Sequence, residues 1–283
     1  MNANKTILAV LAHPDDESFG MGGTLAHYAS QGVAVHLICA TRGEAGEVDA
    51  HFLENYDSIA ALRTAELQCA ADTLGLAAVH FLDYRDSGMA GSPDNGHANA
   101  LVAQPLDAVA AKIVAIIRQL RPQVVITFDP VGGYHHPDHI AIHHAAVRAF
   151  HAAGIPDEFP GSGAPFAPQK LYFSVFPRRF FRLLVRMFRF MGKDTTKFGR
   201  NQDINLEVLA GDEDYPIHAR INYRAVIAQK TAADACHASQ LDFGRQSPSL
   251  LRWLRKLTGG TDSFMRAHPP ASSRPPVSDL FSG

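Results

Sequence analysis

The 283-residue chain has few cysteines, a single tryptophan and no surplus of charge of either sign. Cys39, Cys69 and Cys236 are odd in number and far apart, so they read as neither a disulfide framework nor a thiolate zinc cluster. Lys and Arg total 26 against 28 Asp and Glu, a formal net charge of -2. Sequence-independent nucleic-acid binding needs surplus cation to displace counterions, and none is present. No apolar run approaches the roughly 20 residues of a membrane-spanning helix. The apolar stretch near the N-terminus runs only from Ile7 to Ala12 and does not read as a signal peptide. A soluble, cytoplasmic protein is expected.

What the chain does have is apolar material for a core, at 46% of its residues, and 15 histidines that are unevenly spread. Thr6–Ala12, Val33–Ala40, Val79–Leu82 and Val124–Phe128 are short and apolar on both faces, as parallel strands covered by helices are. Ser18–Ser30 and Ile59–Leu74 read as helices, closed by Gly32 and Gly75. Leu101–Leu120 spaces Val102, Leu106, Val109, Ile113, Ile116 and Leu120 three or four apart, until Arg121-Pro122 stops it. Pro137–Ala153 reads as another helix, with Pro in its first turn. This alternation predicts an α/β fold with a mainly parallel sheet flanked by helices. Further on, Gly154–Pro168 reads as a loop and Lys170–Phe176 as a fifth strand. Ile204–Leu209 and Pro216–Tyr223 read as two more strands and Ala225–Ser239 as a helix, together a C-terminal α+β elaboration. Residues 1–267 form one domain in this reading, and the Pro- and Ser-rich stretch 268–283 a loosely attached tail.

In an open α/β sheet, ligands bind beyond the carboxyl ends of the strands, where strand order reverses. Polar segments follow each of the first four strands: His13 to Glu17, Thr41 to Glu47, Asp83 to Met89 and Asp129 to His139. With strand order 3-2-1-4, the first and fourth loops meet. His13, Asp16 and His139 then supply two imidazoles and one carboxylate and leave a position for water, the pattern of catalytic zinc. The same donors suit Fe(II). His139 and His143, one helical turn apart, are a competing pair that leaves His13 and Asp16 unexplained. A lone loop histidine is usually only solvated, and Asp in such a turn also suits a helix cap; His135, His144, His151 and His218 are read as solvated or packing residues.

Two of these segments carry a resemblance. Ala12-His13-Pro14-Asp15-Asp16-Glu17 after the first strand, and Gly132-Gly133-Tyr134-His135-His136-Pro137-Asp138-His139 after the fourth, resemble the LmbE-like (PIG-L) family of zinc-dependent N-acetylglucosaminyl deacetylases. Thr41–Val48 and Arg85–Met89 look like further family blocks. Lys230 to Gln240 is similar to the C-terminal helix of the thiol-cofactor (mycothiol/bacillithiol-type) branch. The resemblance implies a Rossmann-like α/β domain that removes acetyl groups from amino sugars. It implies one zinc held by His13, Asp16 and His139, with Asp15 as general base. It further implies that His136 stabilises the tetrahedral intermediate, that Asp138 keeps His136 protonated and oriented, and that Tyr134 stands beside the oxyanion. Glu44, Glu47, Arg85 and Asp86 are expected to reach substrate hydroxyls, although Arg85 and Asp86 pairing with each other is the structural alternative. His237 and Gln240 are expected to be supporting residues.

A hydratase using the same zinc, an Fe(II) oxygenase and a nucleotide-binding module remain as rivals. The last rests on Phe19-Gly20-Met21-Gly22-Gly23-Thr24-Leu25, where Leu25 replaces the third glycine of the dinucleotide fingerprint. One segment stands apart. Pro177–Arg200 sets Arg178, Arg179, Arg182, Arg186, Arg189, Lys193, Lys197 and Arg200 among Phe, Leu and Met. A lid over the site or a contact within a homo-oligomer is favoured for it over contact with an anionic membrane surface.

Overall fold

Thr6–Leu11 forms strand β1, Ala34–Cys39 β2, Ala78–Phe81 β3, Val124–Phe128 β4, Lys170–Ser174 β5, Ala219–Asn222 β6 and Thr261–His268 β7. They make one sheet in the order β3-β2-β1-β4-β5-β7-β6, so the expected reversal between β1 and β4 is present. Strands β1 to β5 pair in parallel, and β7 runs antiparallel to β5 and β6. The helices are α1 (Asp16–Ser30), α2 (Ile59–Leu74), α3 (Leu106–Leu120), the single turn α4 (Gly132–His135), α5 (Pro137–Ala152), α6 (Arg178–Phe190), α7 (Leu206–Ala210) and α8 (Ile227–Cys236). This computed structural model describes residues 5–176, 178–196, 205–211, 214–241, 260–271 and 275–282, with only the backbone of 179–181 and 209. Lys197 and Arg200 of the basic segment lie outside the described residues.

Alternation along β1 explains the layers. Ile7, Ala9 and Leu11 point to one face and pack with Leu25 of α1, Leu67 and Leu74 of α2, and Ala233 of α8. Leu8, Val10 and Ala12 point to the other and pack with Val109, Ile113 and Ile117 of α3 and Ile142 and Ala146 of α5. A strand buried on both faces has to be apolar throughout, which is the pattern its sequence shows. Each buried Leu, Ile or Val among them contributes about 1.5–3 kcal/mol, so the central strands that carry the rim are firmly held.

Several boundaries differ from expectation, each for a local reason. The helix expected from Leu101 begins at Leu106, because Pro105 excludes helical geometry at the residue before it; Leu101–Ala103 forms a separate 3₁₀ turn. The strand expected at Ile204–Leu209 is instead helix α7, from Leu206 onwards. Asn205 caps it, its side chain accepting from the N–H groups of Glu207 (2.9 Å) and Val208, and Leu206 and Ala210 share one face packed on Leu184 and Val185 of α6. The described residues of the expected tail are anchored. His268 ends β7, Val277 exchanges backbone hydrogen bonds with His218 and Arg220, and Leu280 is fully buried. Tyr28 donates its hydroxyl to Asp279 (2.9 Å) and accepts from the Leu280 N–H (2.6 Å). Cys69 of α2 and Cys236 of α8 are joined in a disulfide, against the expectation of none. The packing of α2 on α8 brings together two residues 167 positions apart, which spacing along the chain does not reveal. Cys39 is free and buried.

Candidate active site

The turn after β1 is built to aim side chains. Asp15 adopts a left-handed backbone (φ 115°) just before α1, a conformation unusual for a residue other than glycine. Its N–H donates to the Glu17 carboxylate (2.9 Å), and its own carboxylate accepts from Arg63 of α2 (2.9 Å). Arg63 also donates to the Pro14 carbonyl. The N–H of His13 donates to Asp16 (2.7 Å). On the facing loop, the Asp129 carboxylate accepts from the N–H groups of Val131 (3.2 Å) and Gly133 (2.8 Å). Gly132 sits at φ +64°, and a Cβ there would lie 2.8 Å from the Cβ of His139, so only glycine lets the loop pass this histidine.

Three side chains from the two loops converge. Nδ1 of His13 lies 3.2 Å from Nε2 of His139. The two Asp16 oxygens lie 3.6 Å from the first and 3.2 Å from the second. Tetrahedral zinc with bonds of about 2.0–2.1 Å holds its ligand atoms roughly 3.3 Å apart, so the spacing fits one small divalent ion. The opposite ring nitrogens are already engaged. Nε2 of His13 faces Asp138 (3.2 Å) and Asp86 (3.4 Å), and Nδ1 of His139 faces the Gly132 carbonyl oxygen (3.2 Å). With protons on those outer nitrogens, two imidazole lone pairs and a carboxylate point at one spot, an arrangement that a cation relieves. Such outer partners also fix ring orientation in metal sites. Ring nitrogens of His13, His136 and His139 also lie within 4.8 Å of one another, so His136 offers a third imidazole beside the pair, and His13, Asp86 and Asp138 form a second, overlapping group.

The environment separates neighbouring carboxylates. Burial raises Asp16, but the imidazoles of His139 and His13 outweigh it and hold its pKa well below the usual range. Burial pushes Asp15 up to about 6 in spite of the Arg63 guanidinium. Burial also opposes charge on His13, yet Asp86, Asp138 and Asp16 raise it well above an ordinary imidazole. His136 goes the other way, down to about 2, through burial and the nearby His13 and His139.

Two of the expected pairings do not form. The Asp138 carboxylate is turned to Nε2 of His13 and the N–H of Ser87 (2.9 Å), not to His136. His136 uses Nδ1 to accept from the Asp138 backbone N–H (3.2 Å), capping α5. With Nδ1 accepting and burial lowering its pKa to about 2, the ring is set up to be neutral and to carry its proton on Nε2, unlike the protonated His136 that the resemblance implies. Tyr134 stands with its ring centroid 5.2 Å from that of His139 and 5.9 Å from that of His136. Arg85 pairs with Asp94 (2.6 Å) rather than with Asp86 or the site, while Asp86 is buried against His13. Glu44 accepts from the N–H groups of Asp86 (3.0 Å) and Arg42 (3.2 Å), and Glu47 lies exposed on the same loop. His143 directs Nδ1 to the Phe128 carbonyl oxygen (2.8 Å) and packs on Phe173, outside both clusters. The Gly20–Gly23 stretch lies inside α1 and forms no phosphate loop; Gly23 gives room to the Tyr223 ring.

Arg63 and Glu17 are participants that the sequence reading did not single out. The available signal was charge on a buried stripe: Arg63, Glu66, Leu67 and Ala70 recur at the spacing of the face by which α2 packs.

Residues 8–150 match the family model described as PIG-L, GlcNAc-PI de-N-acetylase. A 1D-myo-inositol 2-acetamido-2-deoxy-alpha-D-glucopyranoside deacetylase of Acidothermus cellulolyticus is 37% identical, over 99% of this chain and 95% of its own length. The chain belongs to the PIG-L family. An enzyme of the same description from Streptomyces avermitilis is 35% identical, over 99% of this chain and 97% of its own. Among solved structures, the N,N'-diacetylchitobiose deacetylase of Pyrococcus horikoshii superposes with a TM-score of 0.66 at 20% identity, over 95% of this chain and 88% of its own. GalB, a 4-carboxy-2-hydroxymuconate hydratase of Pseudomonas putida, superposes at 0.57 and 21%, over 96% and 99%. The PIG-L fold thus accompanies more than one reaction, and fold alone does not choose between them.

Proposed function

We propose that this PIG-L protein is a metal-dependent N-deacetylase that hydrolyses the acetamide of a 2-acetamido-2-deoxyglucoside, releasing acetate and the free amine. One observation carries the reading: the inner nitrogens of His13 and His139 and the Asp16 carboxylate are 3.2–3.6 Å apart, beside an Asp15 that touches neither imidazole. Relatives 35–37% identical along nearly the whole chain bear the name of an inositol glycoside deacetylase, so that glycoside is the first substrate to try.

His13, Asp16 and His139 would hold the ion, zinc by the chemistry of the donors. A divalent ion there supplies a Lewis acid and makes water a better nucleophile near neutral pH. Asp15 accepts the proton of the attacking water, and a pKa of about 6 suits a base working near neutrality. Arg63 fixes the direction of its carboxylate. Neutral His136 donates through Nε2 toward the oxygen that gains charge at the carbonyl, and Tyr134 is the second candidate donor. One donor of this kind contributes about 3–4 kcal/mol. When the C–N bond breaks, Asp15 returns its proton to the departing amine. Asp138 supports His13. Asp86 and the free edges of Glu44 and Glu47 serve sugar hydroxyls, and Arg85, already paired, drops out.

Incubation with the inositol glycoside and a panel of N-acetyl glycosides, with acetate and free amine measured together, tests the reading. Equal amounts of both, lost on chelation and restored by zinc, are expected. Neither product from any glycoside, or hydration of an activated double bond in their place, would overturn it.

A further inference from the structure

The basic helix α6 is amphipathic in two directions. Its inner face, Leu184 and Val185, is buried on α7. Its outer face carries Leu183 (65% exposed), Met187 (41%), Phe190 (93%) and, in the turn that follows, Met191 (56%). These positions recur at i, i+4, i+7 and i+8, one continuous stripe, and among the described residues nothing covers it. Stretch 178–193 holds six Lys and Arg and no acidic residue. Three of these cations tie the helix to the molecule: Arg178 to Asp129 (3.6 Å), Arg182 to Asp214 (2.5 Å) and Arg189 to Glu207 (2.7 Å). Arg186 and Lys193 are exposed and make no ion pair among the described residues.

We propose that α6 docks the protein on an anionic lipid bilayer, with Leu183, Met187, Phe190 and Met191 entering the interface and Arg186 and Lys193 meeting the headgroups. The stripe spans nine residues, about 13 Å of helix. A stable protein interface takes about 20–30 residues a side, so the stripe is too small for a second copy or a folded partner. An interfacial helix needs only one apolar edge reaching some 5–10 Å into the headgroup–acyl boundary, beside cations that stay at headgroup level. Charge sets the orientation. Outside 178–193 the chain has 20 Lys and Arg against 28 Asp and Glu, so an anionic surface attracts this helix and repels the rest. Through Arg178 and Asp129 the helix begins at the rim of the Gly132–Tyr134 loop, and docking brings that rim close to the lipid. The inference stands independently of the deacetylase reading.

Co-sedimentation of the whole protein with phosphatidylcholine vesicles, with and without phosphatidylglycerol, is the test. Binding is expected only with phosphatidylglycerol, falling as salt rises. A cation near an anionic leaflet contributes roughly fivefold, so Arg186→Gln with Lys193→Gln should weaken partitioning about 30-fold. Leu183→Ser with Phe190→Ser should remove it, and both double variants should unfold at the wild-type temperature because the changed side chains are exposed. No sedimentation with phosphatidylglycerol, equal sedimentation on both lipids, or a wild-type dimer that Leu183→Ser with Phe190→Ser splits into monomers would each overturn the proposal.

Discussion

Asp15 and Asp16 are adjacent in sequence and opposite in surroundings. Asp16 is drawn between two imidazoles that favour its ionised form, while Asp15 is buried with one guanidinium and pushed toward neutrality. Two carboxylates whose environments drive their pKa values apart are suited to different roles. Asp15→Asn is accordingly expected to retain bound metal while losing at least about 100-fold in kcat, the usual share of a general base. His139→Ala should lose the metal itself. Metal content by elemental analysis alongside the rate checks both, and full occupancy in His139→Ala contradicts the ligand set. That these two loops meet followed in the sequence only from a supposed strand order 3-2-1-4, which the sheet has. Which side chain faces which was not legible: Asp138 and His136 lie two residues apart in the sequence, yet the cap of α5 sends the His136 ring to a backbone N–H and frees Asp138 for His13.

At the scale of elements, α2 and α8 form a second tier behind the turn. His237, at the end of α8, meets Glu17 at 2.6 Å, and Glu17 accepts the Asp15 N–H. Glu66 of α2 accepts from both the N–H and the hydroxyl of Ser239 (2.7 Å each). His237→Ala would leave Glu17 without its fully buried partner. A hydrogen bond to a buried charge typically contributes about 1.5–3 kcal/mol to stability, so thermal stability should fall; because Glu17 also holds the Asp15 N–H, kcat should fall with it, while KM and metal content stay nearly unchanged. His237→Gln should recover part of the rate, because an amide donor can take the place of the ring N–H. A loss of thermal stability with kcat unchanged would mark His237 as merely structural. Helix α2, sixteen residues closed by Gly75, and β4, a short run apolar on both faces, were readable from the sequence to the residue. Helix α7 was not, since five residues do not distinguish a period of 2 from one of 3.6; the Asn205 cap and packing on α6 decide it.

The whole molecule is closed by its C-terminal strands, which the composition of the last residues concealed. Proline and serine suggested a tail, but a few apolar anchors suffice when the neighbouring strand offers open hydrogen bonds, as β6 does to Val277. Asp262 of β7 bonds across to α1, accepting from the N–H (2.8 Å) and hydroxyl (2.7 Å) of Thr24, and burial raises its pKa to about 6. The unfolded chain gives up this proton near pH 4 and the fold only near pH 6. Protons are therefore held more tightly by the folded state, and stability should fall as pH rises through that window, by at most about 3 kcal/mol. Asp262→Asn keeps an oxygen for Thr24 and should flatten this part of the stability curve in chemical denaturation between pH 4 and 7. An unchanged slope would show that Asp262 is ionised in the fold across the whole range.

Cys69 and Cys236 give the protein a chemical memory of where it matured. Glutathione-rich surroundings keep such sulfurs as thiols, whereas secretory or periplasmic surroundings let the bond between α2 and α8 persist. Counting alkylatable thiols on protein drawn fresh from cells, three or only the sheltered Cys39, identifies its home directly.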